Sequence, residues 1–379
     1  MTVSSAGCGA QALRVLPADH DLATELRASV TAVAHTWMAG HKPEALAWSW
    51  GEGLLCFGLE RAFQATHDVA VRDYLRRDLG AHLRRGIVVA SSDDAAPGLC
   101  AIERVLQGDA RFAPLATQVV AYSMHAPRGA SGMVWHLGRA YPWFVRQTLP
   151  AVWIDSIFHL VPTLLRYSVF TGDRQYRDAG VRQLVLFVNA LMDPSSGLVT
   201  HAYDDAPLWE PVPAFAHRAF WARGNGWMLA TLVDALAYLP QDHLARPQLE
   251  RAARKLEAAL RATQAQSGLF HTLLLRPSSY EETAGSALIL YAMARGLRLG
   301  IFSLPTRAAM VRGAQGLLRV LRDAPRAPKV TGTSLGTNPI ELLYRITPTA
   351  DDVSYGVGAW LLAAVEIGDY LAAQPQAAR

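Results

Sequence analysis

Ser196-Gly197-Leu198-Val199-Thr200-His201 has two echoes in the same chain, Ser131-Gly132-Met133-Val134-Trp135-His136 and Ser267-Gly268-Leu269-Phe270-His271. They lie about two helices and their loops apart. Glycine after serine permits a tight turn, and the apolar residues that follow return the chain to a core. Such a turn recurring between helix pairs predicts stacked helical hairpins. The flanking windows agree. Ala45 to Thr66, Trp153 to Phe170, Ala179 to Leu191, Trp227 to Leu239, Leu249 to Leu260, Thr283 to Leu297 and Gly356 to Leu371 all carry apolar residues at helical spacing. β-branched alternation is scarce. Gly108-Asp109-Ala110-Arg111-Phe112 and Gly172-Asp173-Arg174-Gln175-Tyr176 each pair a glycine that can end one helix with an aspartate that can cap the next. About twelve helices closing on themselves would form an all-α (α/α)6 barrel, a six-hairpin toroid with loops at one end lining a pocket. An open solenoid is the competing architecture, and the lack of distinct polar end caps favours closure.

Composition bounds the rest. Of 379 residues, 51% are hydrophobic and 18% charged, enough for a sizeable core. With no Gly/Ser/Pro-rich linker, the chain reads as one domain over 1–379, with 1–18 a flexible N-terminal segment. Thr331 to Ala350, rich in Gly, Thr, Pro and Asn, reads as a long surface loop. The charge of +4 comes without a basic run interleaved with aromatics, so nucleic acid is not an expected partner. Cys8, Cys56 and Cys100 share no CxxC spacing, which argues against a disulfide framework or a zinc site. The first residues lack a basic region followed by an apolar block, and no apolar stretch approaches the ~20 residues that span a bilayer. We expect a soluble, cytoplasmic protein, a monomer or homodimer without a membrane partner. The absence of HExxH, a Gly-rich phosphate loop and Gly-x-Ser-x-Gly removes zinc proteolysis, nucleotide transfer and serine hydrolysis.

The chemistry-bearing residues sit beside aromatics. Trp221-Ala222-Arg223-Gly224-Asn225-Gly226-Trp227 places two indoles and a guanidinium directly before an apolar helical run. Indoles stack on sugar rings, and arginine forks a carboxylate in two parallel hydrogen bonds. The bland alternative is a helix start whose tryptophans are core. In Trp153-Ile154-Asp155-Ser156-Ile157-Phe158 an aspartate opens an apolar helix. Apolar surroundings would raise its pKa, as a general acid near neutral pH requires, but an N-cap is the competing role. Asp93 and Asp94, before Ala95-Ala96-Pro97-Gly98, have the same two readings. His201 and His136 are candidates for sugar-hydroxyl contacts, although a lone histidine is usually just a satisfied polar group.

In order and approximate spacing, Trp153-Ile154-Asp155, His201-Ala202-Tyr203-Asp204, the Trp221–Trp227 segment, Ser267-Gly268-Leu269-Phe270-His271, Tyr280-Glu281-Glu282-Thr283-Ala284-Gly285-Ser286-Ala287 and Tyr355-Gly356-Val357-Gly358-Ala359 resemble the unsaturated uronyl hydrolases, glycoside hydrolase families 88 and 105. The resemblance runs from about Trp48 to the end. The Arg-Gly-Asn-Gly-Trp form is more similar to the rhamnogalacturonyl branch than to the glycosaminoglycan branch. It implies an (α/α)6 barrel that hydrates the C4=C5 double bond of an unsaturated uronic acid left by a polysaccharide lyase. Asp155 would be the general acid and then the base, with Asp93 assisting by charge or hydrogen bonding. His201, Arg223 and Trp227 would hold the sugar, with Trp221, Asn225, His136 and Trp50 as further substrate contacts. The resemblance implies no metal and no organic cofactor.

The chain also departs from that pattern. Ala96 precedes Pro97-Gly98 where Asn is frequent, Ser156 follows the aspartate where Gly or Asp is common, His159 falls where Met often sits, and Glu210-Pro211-Val212-Pro213 adds prolines. Two alternatives therefore stand beside the hydrolase reading. One is a barrel paralogue using the same acid on a different unsaturated metabolite in a biosynthetic pathway. The other is a non-catalytic carbohydrate-binding toroid in which Asp155 is only a cap.

Overall fold

The computed structural model describes residues 17–139, 151–203, 219–336, 339 and 341–373. Cys8, Asp204, Asp205, Glu210-Pro211-Val212-Pro213 and all but the last two residues of the 1–18 segment lie outside the described residues. Among the described residues, six helices form an inner ring: Trp50–Thr66, Gly98–Leu106, Asp155–Thr171, Ala222–Tyr238, Thr283–Arg298 and Ser354–Ala372. Six more pack outside it: Pro17–Gly40, Val69–Arg85, Ala113–His125, Arg174–Leu191, Arg246–Ala262 and Leu304–Arg319. This is the all-α toroid the repeats predict.

The two layers differ as their burial demands. Inner helices are covered on every side, so Ala222 through Leu236 are buried without a break. Outer helices bury one stripe. In Arg246–Ala262 it is Leu249, Ala252, Ala253, Leu256, Glu257 and Leu260, and the intervening arginines and lysine face water.

The ring closes between its first and last inner helices. A Cβ on Gly58 would lie 2.5 Å from the carbonyl oxygen of Gly358, and one on Gly358 would lie 2.4 Å from that of Leu54. Only glycine lets the two backbones touch this way.

The three Ser-Gly turns are the same device in three places. Gly132, Gly197 and Gly268 have φ of +79°, +76° and +87°. In each, the serine hydroxyl accepts from the amide two residues on: Met133, Leu198 and Leu269. The amide after that is claimed by a neighbouring side chain, Gln183, Asn225 and Ser286 respectively. The register differs in one respect. His136 and His201 stand five residues after their serines, but His271 stands four after, and buried Thr272 takes the equivalent place.

The two Gly-Asp connectors diverge. Asp173 caps its helix by accepting from Gln175 N at 2.9 Å. Asp109 makes no cap; it pairs with Arg111 and Arg76, and the Arg111 hydrogen bond leads in holding its carboxyl down to about 2. The expected 331–350 loop is partly ordered: Thr333–Ser334 pairs antiparallel with Thr349–Ala350, and Glu341–Ile346 is a short helix. No described helix is long and apolar enough to cross a membrane.

Candidate functional site

All six inner helices run in the same sense, since rings and ions from their first turns meet at one mouth while those from their last turns meet at the other. Their N-terminal ends, which carry partial positive charge, therefore converge. Short tertiary ties fix the side chains there. Val152–Trp153 pairs with Ala202–Tyr203, and Ile154 N donates to His201 O at 2.8 Å, which sets Asp155 beside His201. His136 donates its N–H to Ala151 O and accepts Ser92 N at its own carbonyl, so one residue joins the segments bearing Asp93 and Asp155.

Asp155 is the first residue of its helix and caps nothing. Its Oδ2 lies 3.1 Å from His201 Nε2, and His201 Nδ1 is hydrogen-bonded in turn to the buried Tyr344 hydroxyl. His201 stacks on Trp221, with ring centroids 4.4 Å apart. Here the expected pKa direction is corrected. Burial does push the Asp155 carboxyl upward, but the hydrogen bond from His201 and the neighbouring imidazoles of His201, His136 and His159 outweigh it and hold the group well below the usual carboxylate range.

Asp93 and Asp94 separate cleanly. Asp94 closes a capping box, accepting from Ser91 N and Ala90 N at 3.0 Å, while Ser91 Oγ accepts from Asp94 N. That leaves Asp93 to face inward. Its Oδ1 lies 3.3 Å from His136 Nε2 and 3.6 Å from His159 Nδ1. Burial pushes its carboxyl up to about 6, opposed by His159 and reinforced by the charges of Asp155 and Asp94. Burial also draws His136 and His159 down to about 4, so both imidazoles are neutral at neutral pH. Asp93 and Asp155 thus look onto the same two histidines.

Other expected contacts are used internally. Arg223 is 1% exposed; its Nη1 pairs with Glu282 Oε1 at 3.2 Å and donates to Ser334 O, and its guanidinium lies 4.5 Å from the Trp221 ring centroid. Arg223 thus already carries an internal carboxylate partner. Asn225 is engaged too: its Oδ1 accepts Val199 N and its Nδ2 donates to Val199 O and Trp221 O, so the amide braces the 196–201 turn. Trp221 and Trp227 are each 1% exposed, the first stacked on His201 and the second edge-on to His159. Trp50 remains half-buried, packed on Tyr355 at 4.3 Å between ring centroids.

Glu282 and Tyr355 stand in motifs quoted from the sequence but without a role of their own, and Tyr344 was not singled out at all. Tyr344 stands in the segment read as a surface loop, where no periodicity marks it.

A helical toroid with carboxylates and histidines gathered at one mouth has the build of a glycoside hydrolase. The model of Glycosyl Hydrolase Family 88 matches residues 23–371, and the chain belongs to that family. A similar curated protein is the unsaturated rhamnogalacturonyl hydrolase YesR of Bacillus subtilis, 28% identical over 252 residues that cover 65% of this chain and 70% of that one. An unsaturated 3S-rhamnoglycuronyl hydrolase of Formosa agariphila is 27% identical over 226 residues, 57% of each chain. Among solved structures, a "possible member of GH105 family" from Salmonella enterica superposes with a TM-score of 0.79 at 23% identity, over 92% of this chain and 94% of its own. The unsaturated glucuronyl hydrolase of Bacillus sp. GL1 gives 0.68 at 16% identity, over 91% and 96%. At such identities these two speak for the fold.

Proposed function

We propose that the chain hydrates the C4=C5 double bond of an unsaturated uronic acid at the non-reducing end of a lyase-generated oligosaccharide, a rhamnogalacturonan fragment in first place, and so releases the neighbouring sugar. The carrying observation is that Asp155, the first residue of its inner helix, turns its carboxyl to the His201 imidazole at the mouth of the ring.

The double bond is an enol ether. The Asp155 carboxyl donates its proton to C4, and the positive charge at C5 is shared with the ring oxygen. Water adds at C5 and returns a proton to the Asp155 carboxylate, and the hemiketal opens, expelling the neighbouring sugar as an alcohol. One carboxyl serves both steps, unlike the paired carboxylates of ordinary glycosidases. The His201 bond favours the carboxylate, which suits the second step. For the first, the arriving uronate brings a like charge and displaces water, and both raise a carboxyl's pKa. Asp93 assists through its charge. Trp50 offers a ring face to the sugar, His201 holds Asp155 in place, and the converging helix N-termini favour an anion.

The test is ultraviolet absorbance of unsaturated galacturonyl-rhamnose and unsaturated glucuronyl disaccharides mixed with the protein. The conjugated band should vanish with at least one of them. Asp155→Asn should slow that loss by about 10³-fold, within the usual worth of a positioned acid, while the fold stays intact. A flat trace on every substrate from folded protein sinks the proposal. It would favour the second reading, the same acid acting on another unsaturated metabolite, for which the unexpected His159 beside Asp93 is the specific observation.

A further inference from the structure

Three side chains at the mouth come from three separate segments: Asp93 from the Ser92–Ala95 turn, His136 from the first Ser-Gly repeat, and His159 from the Asp155–Thr171 helix. Each can turn one ligand atom inward, and these atoms all lie within 4.8 Å of one another. A tetrahedral ion with bonds of about 2.1 Å holds its ligands about 3.4 Å apart. The two edges from Asp93 Oδ1, 3.3 Å to His136 and 3.6 Å to His159, bracket that length.

His159 supplies an independent pointer. It is 2% exposed, and among the described residues its ring nitrogens find only the Ser92 backbone and Asp93 Oδ1 at 3.6 Å, no partner at full hydrogen-bond geometry. A buried imidazole left so is costly, and such groups call for an explanation. Its ring is held in place by stacking near Trp50 and by an edge contact with Trp227. His136 shows the support that metal-binding histidines need: its Nδ1 is 3.0 Å from Ser156 Oγ, and its ring stacks on Trp153 at 4.5 Å, which aims Nε2 at Asp93.

We infer that Asp93, His136 and His159 form a three-ligand site for one divalent first-row metal ion of the zinc class, open on the side of Asp93, whose side chain alone of the three keeps appreciable (23%) exposure. Two imidazoles and one carboxylate, leaving further positions free, is an established donor set for zinc and non-haem iron. The ion would offer an anionic ligand the positive partner that Arg223, paired with Glu282, does not. No local spacing announces the site, because each ligand comes from a different element. The inference goes beyond the hydration reading and does not depend on it.

The test is titration of metal-stripped, sugar-free protein with Co²⁺, read by visible ligand-field absorption and by equilibrium dialysis, then displacement with Zn²⁺. The expected result is one Co²⁺ per chain with bands that Zn²⁺ removes. His159→Met should abolish the bands and weaken binding at least about tenfold. Asp93→Asn, nearly isosteric and partly exposed, should do the same and serves if His159→Met does not fold. Absence of stoichiometric binding by the unaltered protein overturns the inference, as do bands that survive in folded His159→Met or Asp93→Asn. Because no sugar is present, a flat ultraviolet trace and a failed metal titration are separate results.

Discussion

Apart from Glu282, which pairs with Arg223 at the mouth, the two ends of the inner ring bury carboxylates in opposite company. At the N-terminal mouth, Asp93 and Asp155 sit among His136, His159 and His201. At the C-terminal end, Glu60, Glu103, Asp234 and Glu366 sit among arginines. Arg166 bridges Glu103 and Asp234, Arg295 reaches Asp234 at 2.7 Å, Arg104 reaches Glu60 at 3.3 Å, and Arg61 and Arg298 reach Glu366. Arginine does not give up its proton in a protein, so those pairs are fixed charge. Imidazole can be neutral or charged near neutral pH, so the same carboxylate beside it can gain or lose a proton during a reaction. One end of the ring holds helices in register; the other is free to do chemistry.

That contrast can be broken from either end. The largest effect on stability should come from Arg166→Met, which strips the shared partner from Glu103 and Asp234 at once. Breaking a buried pair this way costs about 3–5 kcal/mol, to be read by urea unfolding, with turnover of the molecules still folded nearly unchanged. The same variant should move acid sensitivity. Burial pushes Asp234 up, but Arg166 and Arg295 outweigh it and hold its carboxyl below the usual 3.8. Its contribution is therefore present above 3.8 and lost as pH falls through the lower folded value. Without Arg166 that value rises, so the loss should begin at higher pH in pH-dependent unfolding.

A smaller effect is expected at the mouth. Tyr344→Phe removes the hydroxyl that holds His201 Nδ1, and turnover should fall about tenfold, the worth of one buried hydrogen bond, with stability changed by about 1 kcal/mol. If stability falls by several kcal/mol with turnover intact, Tyr344 belongs with the structural end. The smallest should be Asp94→Ala, which opens the capping box for about 1 kcal/mol and leaves Asp93 in place. A loss of turnover as deep as that of an Asp93 variant would erase the distinction between the neighbours.

The layered fold was legible because inner helices carry long uninterrupted apolar runs and the Ser-Gly turn repeats between pairs. The Val69–Arg85 helix was harder to see, since its core-facing stripe includes Asp78 and His82 beside Val71, Tyr74, Leu75 and Leu79. Leu304–Arg319 fills much of its inner stripe with Ala309, Gly313, Ala314 and Gly316, which give weak periodicity. At the site, residue types were legible but partners were not. Arg223 and Asn225 have the right chemistry to hold a sugar, and their internal partners Glu282, Ser334 and Val199 come through contacts that no spacing encodes. The pKa of Asp155 was misjudged for the same reason: its neighbours in sequence are apolar, but its neighbours in space are imidazoles.

The glycine contact that closes the ring joins positions 58 and 358, so the seam spans most of the polypeptide. Contacts so remote in sequence carry a loop-closure entropy that local helical contacts do not. Trp50 and Tyr355, which pack on each other at the mouth, lie on either side of that seam. The pocket wall is thus complete only where the last inner helix meets the first, so the same seam that closes the ring also shapes its mouth.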